Sequence, residues 1–241
     1  LYQDTEIYEN TAYYGGGCRV TRTRLNGNAK IYQNTAKYYG GGVYGTVELN
    51  NSAEIYGNQT VYNDGGGIQG NTTMNGGSIH DNTAGCHGGG IGTSGSVTVN
   101  GGEIYNNIAK YDGGGVYTRS LTMNGGNIRD NTAGRYGGGV GHDSYLWTFK
   151  MYGGEIRDNG GVGIQSGIVE ISGGEIPGNL GGVYGTDVTV SGGEITGNYG
   201  VDMAAVIINV GTAHIEFLGT QQGIRQAKLE ILEGMTPQGM L

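Results

Sequence analysis

Asp130 follows Arg129 and Asp158 follows Arg157 at matching positions of successive segments, and Asp81 holds the same position in an earlier one. Carboxylates converging beside a cation on one face are what a polysaccharide lyase or glycoside hydrolase uses for general acid–base work. Other segments carry Gln33, Gly57 and Asn106 at this position, and Gly, Asn and Asp are residues that tolerate tight turns. Turn formation therefore competes with catalysis as the reason for these aspartates, and no catalytic residue is assigned. Glu155, Glu175 and Glu194 form a second acidic row. If their segments stack, carboxylates about 4.8 Å apart repel unless protonated, screened or bridged by a cation. They are the speculative metal ligands, Ca²⁺ being the ion suited to oxygen donors, with a solvated acidic strip as the plainer reading. Gly138 to Asp143 fits the Gly-Gly-x-Gly-x-Asp calcium nonapeptide once, without tandem copies. Cys18 and Cys86 are expected to be free thiols, since stacking would hold them about 14 Å apart. With no Ser/His/Asp or Cys/His constellation and no zinc-type spacing, no cofactor is expected.

The elements that must position these residues are repeats. An Ile-x-x-Asn tetrad recurs nine times, from Ile7–Asn10 to Ile195–Asn198, at steps of 19 to 28 residues. That period is too short for helical-pair repeats and fits a β-solenoid, in which each repeat is one turn of a coil. Gly accounts for 54 residues and Pro for 2, and triple glycines recur once per repeat rather than at every third residue, which excludes collagen. The expected fold is all-β: a single parallel β-helix of about nine coils, three short strands in each, over residues 1–203. Residues 204–241 then form irregular terminal coils, a cap or the start of another module.

In the coil around residue 104, Val97 and Val99 point inward about Thr98, Ile104 lies inward between Glu103 and Tyr105, and Val116 closes the third face. The asparagine that ends each tetrad sits at a turn beside the core. A polar residue held there in every repeat needs partners, so Asn10, Asn34, Asn58, Asn82, Asn107, Asn131, Asn159, Asn179 and Asn198 are read as an internal ladder.

The Gly-Gly-Gly-[Val/Ile] and Ile-x-x-Asn signatures, with stretches such as Asn-Gly-Gly-Glu-Ile-Tyr-Asn-Asn at 100–107, resemble the repeats of polymorphic outer-membrane proteins and related adhesin-like surface proteins of bacteria and archaea. The resemblance covers about residues 1–203 and implies a right-handed parallel β-helix of the pectate-lyase-like kind. That fold hosts both enzymes and passive stalks.

Differences between coils are where function is sought. The first six carry an extra edge loop that the last three lack: Tyr13-Tyr14, Lys37-Tyr38-Tyr39, Tyr62-Asn63-Asp64, Cys86-His87, Lys110-Tyr111-Asp112 and Arg135-Tyr136. Stacked, they make a ridge of tyrosines, which either covers the exposed glycines or contacts a ligand. An insertion before Phe149 adds Trp147. Tyr13, Tyr14, Tyr38, Tyr39, Tyr62, Tyr111, Tyr136 and Trp147 are the candidate binding residues. A net charge of −8 without a basic run argues against nucleic acid, and no stretch approaches about 18 consecutive apolar residues, so membrane insertion is not expected. Residue 1 falls inside a repeat, so the chain is read as part of something longer. Together these features predict an extracellular, surface-displayed, non-catalytic protein of structural or adhesive use. Its expected partners are a glycan, a host or neighbouring-cell protein, or further copies end to end or side by side. The alternative is a carbohydrate-active β-helix enzyme.

Overall fold

The computed structural model describes residues 1–142, 144, 146–200 and 202–204, together with the backbone of strands 207–210, 214–215 and 228–230. It is an all-β solenoid in which the paired strands of adjacent coils run parallel. The tetrad isoleucines stack in register: Ile7 on Ile31, Ile31 on Ile55, Ile55 on Ile79, Ile79 on Ile104, Ile104 on Ile128, and Ile128 on Ile156. Ile176 continues onto Ile195.

Further rows fill the core, among them Val47, Thr72, Val97, Leu121, Phe149, Val169, Val188, and two more. One runs Leu25, Leu49, Met74, Val99, Met123, Met151, Ile171, Val190. The other runs Cys18, Val43, Ile68, Ile91, Val116, Val140, Ile164, Val183, Met203. Nearly all are fully buried. A lone coil would expose every one of them, so their burial stabilises the stack and not the single turn. Cys18 heads its row as a small apolar residue, and burial pushes its thiol up to about 11.

Met203 closes the Cys18 row by stacking on Val183, and one feature is absent from the sequence reading. In the first six coils the edge loop also opens with a fourth short strand: Thr11–Tyr14, Thr35–Tyr39, Gln59–Thr60, Thr83–Ala84, Ile108–Ala109 and Thr132–Ala133. These form a separate parallel sheet, with Ala36, Ala84 and Ala109 buried. Two-residue strands carry too little alternation to stand out in a sequence.

Each asparagine Oδ1 accepts two bonds from the coil before it. Asn107 Oδ1 takes the Asn82 main-chain N–H at 3.1 Å and the Asn82 Nδ2 at 3.0 Å. Its own Nδ2 donates to Asn131 Oδ1, to the Ile79 carbonyl one coil back and to the Tyr105 carbonyl beside it. The same links carry Asn34 to Asn58, Asn58 to Asn82, Asn131 to Asn159, Asn159 to Asn179, and Asn179 to Asn198. Asn198 then donates through its main-chain N–H and Nδ2 to Asp202 Oδ1, at 3.3 and 2.7 Å. A carboxylate ends the amide chain, an acceptor that the tetrad pattern did not disclose.

The glycines belong to the same device. At Gly113 the backbone is left-handed, φ +65°, and a Cβ on Gly114 would sit 2.5 Å from the next coil's Gly138 carbonyl. A Cβ on Gly115 would press on the Asn131 amide at 3.0 Å. Gly163 and Gly182 hold the equivalent place against Asn179 and Asn198 in coils that lack the triple glycine.

Replacing Asn107 by Ala removes the partner of the Asn82 main-chain N–H, of Asn82 Nδ2 and of the Ile79 carbonyl. At about 1–3 kcal/mol for each buried group left unsatisfied, the variant should lose roughly 3 kcal/mol or more. Urea denaturation should show this as a lower midpoint at unchanged slope. A loss below about 0.5 kcal/mol would mean that the ladder contributes nothing net.

Candidate functional site

The aspartates that suggested acid–base chemistry are turn residues. Gln33, Asp81, Asn106, Asp130 and Asp158 all have φ between +53° and +55°, with Gly57 at +62° in the same row. Each aspartate is also engaged by the side chain just before it: Asp81 by His80 at 2.6 Å, Asp130 by Arg129 at 2.7 Å and Asp158 by Arg157 at 2.6 Å. Glu155, Glu175 and Glu194 stand in register, Glu155 bound to Arg157 at 3.1 Å and the other two exposed. Asp143 of the calcium-like hexapeptide lies outside the described residues.

The outward position after the tetrad isoleucine builds a continuous ring stack. Tyr8, Tyr32, Tyr56, His80 and Tyr105 follow one another at centroid spacings of 5.0, 4.9, 5.0 and 4.6 Å, with planes within 9°. The Arg129 guanidinium covers the last ring at 4.3 Å and pairs with Glu103. Such stacking uses the coil spacing directly, and ring-on-ring contact supports the face it lies on.

Among the loop tyrosines, Tyr13, Tyr14, Tyr62, Tyr111 and Tyr136 are exposed, while Tyr38 and Tyr39 are half-buried. Tyr38 bridges Tyr13 and Tyr62 at 6.2 and 6.0 Å, and Tyr14 stacks on Tyr39 at 6.3 Å. Trp147 folds back onto the preceding coil, edge-on to Tyr117 at 5.4 Å and under Arg119. Between the tyrosine loops and this tryptophan lies an open cleft of about 540 Å³, lined by Tyr39, Tyr44, Asp64, Tyr117, Arg119 and Trp147 among others.

The most densely bonded part of the loop edge is polar. The residue immediately before each triple glycine runs Tyr14, Tyr39, Asp64, His87, Asp112, Tyr136, one per coil. Asp112 is fully buried: Arg135 grips both of its oxygens, Nε to Oδ1 at 2.8 Å and Nη2 to Oδ2, and His87 Nδ1 lies 3.1 Å from Oδ2. Burial pushes the Asp112 carboxyl up, but the hydrogen bonds and charges of Arg135 and His87 together outweigh it and hold it at about 2. One coil back, Asp64 Oδ1 accepts the His87 main-chain N–H at 3.0 Å. Cys86 beside it is a free thiol, pushed up to about 11 by burial and by Asp64. The sequence placed these residues in the loops but treated the loops as tyrosine carriers. The row of pre-glycine residues is the signal that would have found Asp64, His87 and Asp112 together.

Comparison with known proteins points to the other end of the chain. The Mur ligase middle domain family matches residues 199–241. A segment of 38 residues, 16% of this chain, is 50% identical to the UDP-N-acetylmuramoyl-tripeptide--D-alanyl-D-alanine ligase of Bacillus subtilis (strain 168), of whose length it covers 8%. No solved structure matches the chain. These findings correct the functional expectation: the segment outside the repeats is similar to part of an enzyme, and the extracellular, surface-displayed adhesive reading does not stand. The relation to an enzyme is confined to a short match and does not extend to the coils. Periodicity had drawn the argument to residues 1–203, whereas the similarity lies almost wholly beyond them.

The Asp112 carboxyl gives a pH signature. Its folded value of about 2 lies below the ordinary 3.8, so its contribution to stability is complete above about pH 4 and is lost as the pH falls through about 2. The difference corresponds to about 2 kcal/mol. Denaturation midpoints compared at pH 6 and near pH 2 should fall further in the parent chain than in Asp112→Asn. Equal falls would show that Asp112 is not the group responsible.

Proposed function

We propose that this chain joins a stiff β-solenoid to a segment of a cell-wall-precursor ligase, with residues 199–241 carrying the ligase relationship and the coils serving as its scaffold. The observation that carries this reading is the match of the Mur ligase middle domain family to residues 199–241, and a 38-residue stretch 50% identical to a ligase of that kind supports it. By its name, the Bacillus subtilis relative joins UDP-N-acetylmuramoyl-tripeptide to D-alanyl-D-alanine, and this is the substrate class proposed here. For the coils, the likeness to outer-membrane-type repeats is kept as one of architecture.

A stretch of 38 residues is about at the lower limit for holding a fold unaided. The solenoid end supplies support: strand 207–210 pairs with 187–190, and 214–215 pairs with 194–195. The coils themselves, a rod of about 40 Å at the usual strand spacing, offer stiffness, with the turn aspartates already engaged by their neighbours.

Equilibrium dialysis tests the reading. The 241-residue chain should retain labelled UDP-N-acetylmuramoyl-tripeptide, and a chain ending at Ala204 should not. Retention by neither chain, or by both equally, would refute it.

A further inference from the structure

Asp64, Cys86 and His87 each present a ligand atom, and these atoms lie within 4.8 Å of one another. They come from two adjacent coils, Asp64 from one edge loop and Cys86-His87 from the next. A zinc ion with bonds of about 2.0 to 2.3 Å needs tetrahedral donors roughly 3.5 Å apart, so a closing movement of about 1 Å would complete the set. The donors are a sulfur, an imidazole nitrogen and a carboxylate oxygen. Such a mixture suits Zn²⁺ and not Ca²⁺ or Mg²⁺, which take oxygen ligands in larger or octahedral sets.

Two surrounding features go beyond mere proximity. His87 Nδ1 lies against Asp112, 3.1 Å from its carboxylate and 3.3 Å from its main-chain N. With the proton on Nδ1 donated to the carboxylate, Nε2 is the nitrogen left for the metal, the arrangement that orients imidazoles bound to metal. Asp112 in turn is held by the Arg135 fork, so its charge is already matched and is not added to the site. With Cys86 deprotonated on binding, one thiolate and the Asp64 carboxylate carry two negative charges, equal and opposite to the ion. His87 also stacks on Tyr117 at 4.5 Å, and both Tyr117 and Asp64 line the cleft. The fourth position of the ion is thereby open to a molecule in that cleft.

We propose that Asp64, Cys86 and His87 form a three-ligand site for Zn²⁺ or a similar divalent transition metal, oriented by Asp112 and open to the cleft at the fourth position. The site was invisible to linear motif spacing because its members are separated by one coil. This inference is independent of the ligase reading, since it rests on coils three to six alone.

The test uses the full chain with Co²⁺ as a spectroscopic stand-in for Zn²⁺. One equivalent should bind with a sulfur-to-cobalt charge-transfer band, and Zn²⁺ should displace it. Cys86→Ala should abolish the band, while Cys18→Ala should leave it intact. His87→Ala and Asp64→Asn should each weaken Zn²⁺ binding at least tenfold, with circular dichroism of each variant confirming the parent fold. Calorimetry in buffers of different ionisation enthalpy should show about one proton released as the Cys86 thiol is deprotonated. Absence of the band, or equal Zn²⁺ affinity in parent, Cys86→Ala and His87→Ala, would overturn the proposal.

Discussion

A buried amide handed from coil to coil is the constraint on which this structure depends. Each ladder asparagine satisfies a main-chain N–H and an amide of the coil before it, while its own amide reaches forward to the next asparagine and back to an isoleucine carbonyl. The amide fits because the facing residue has no side chain: a Cβ at Gly42, Gly67, Gly90 or Gly115 would sit 3.0 to 3.1 Å from asparagine amide atoms. The two most repeated motifs in the sequence are thus halves of one packing arrangement. The apolar rows supply most of the burial, and they alone would tolerate slippage. A polar group that must meet its partner in every coil does not, because a register error would leave it buried and unsatisfied.

A rigid stack converts sequence separation into proximity. Residues one period apart become neighbours at strand spacing, so any outward or loop position is a column in which side chains can be composed. The Tyr8-to-Tyr105 ring stack uses one column, and the Asp64–His87–Asp112 series uses another. In the second, charge is balanced along the column by Arg135, which lets a fully buried carboxylate persist. The ring column ends at Tyr105 beneath Arg129, and the loop column ends with the edge loop, which the last three coils lack.

The fold was legible because its determinant is periodic. Ile7 to Ile195 and the asparagines announce one coil each, and the glycines mark where coils meet. Less was legible wherever a residue acts once. Asp202 ends the ladder but resembles no tetrad residue, and Met203 closes its core row without a repeat motif around it. The strands Thr83–Ala84 and Ile108–Ala109 are too short to declare a pattern. Asp64, Cys86 and His87 were read as separate loop contents because linear spacing rules look for ligands on one segment. The functional expectation failed for a related reason. Residues 199–241 are informative through their match to a ligase domain family and not through repetition, and repeats alone give them only the role of an end piece.

The central claim is that the asparagine amides are locked inside the stack, and side-chain amide hydrogen exchange followed by NMR tests it most directly. The Nδ2 protons of Asn58, Asn82, Asn107 and Asn131, which are buried and bonded on every side, should exchange orders of magnitude more slowly than those of exposed Asn51. Exchange of the ladder amides as fast as that of Asn51 would contradict the account.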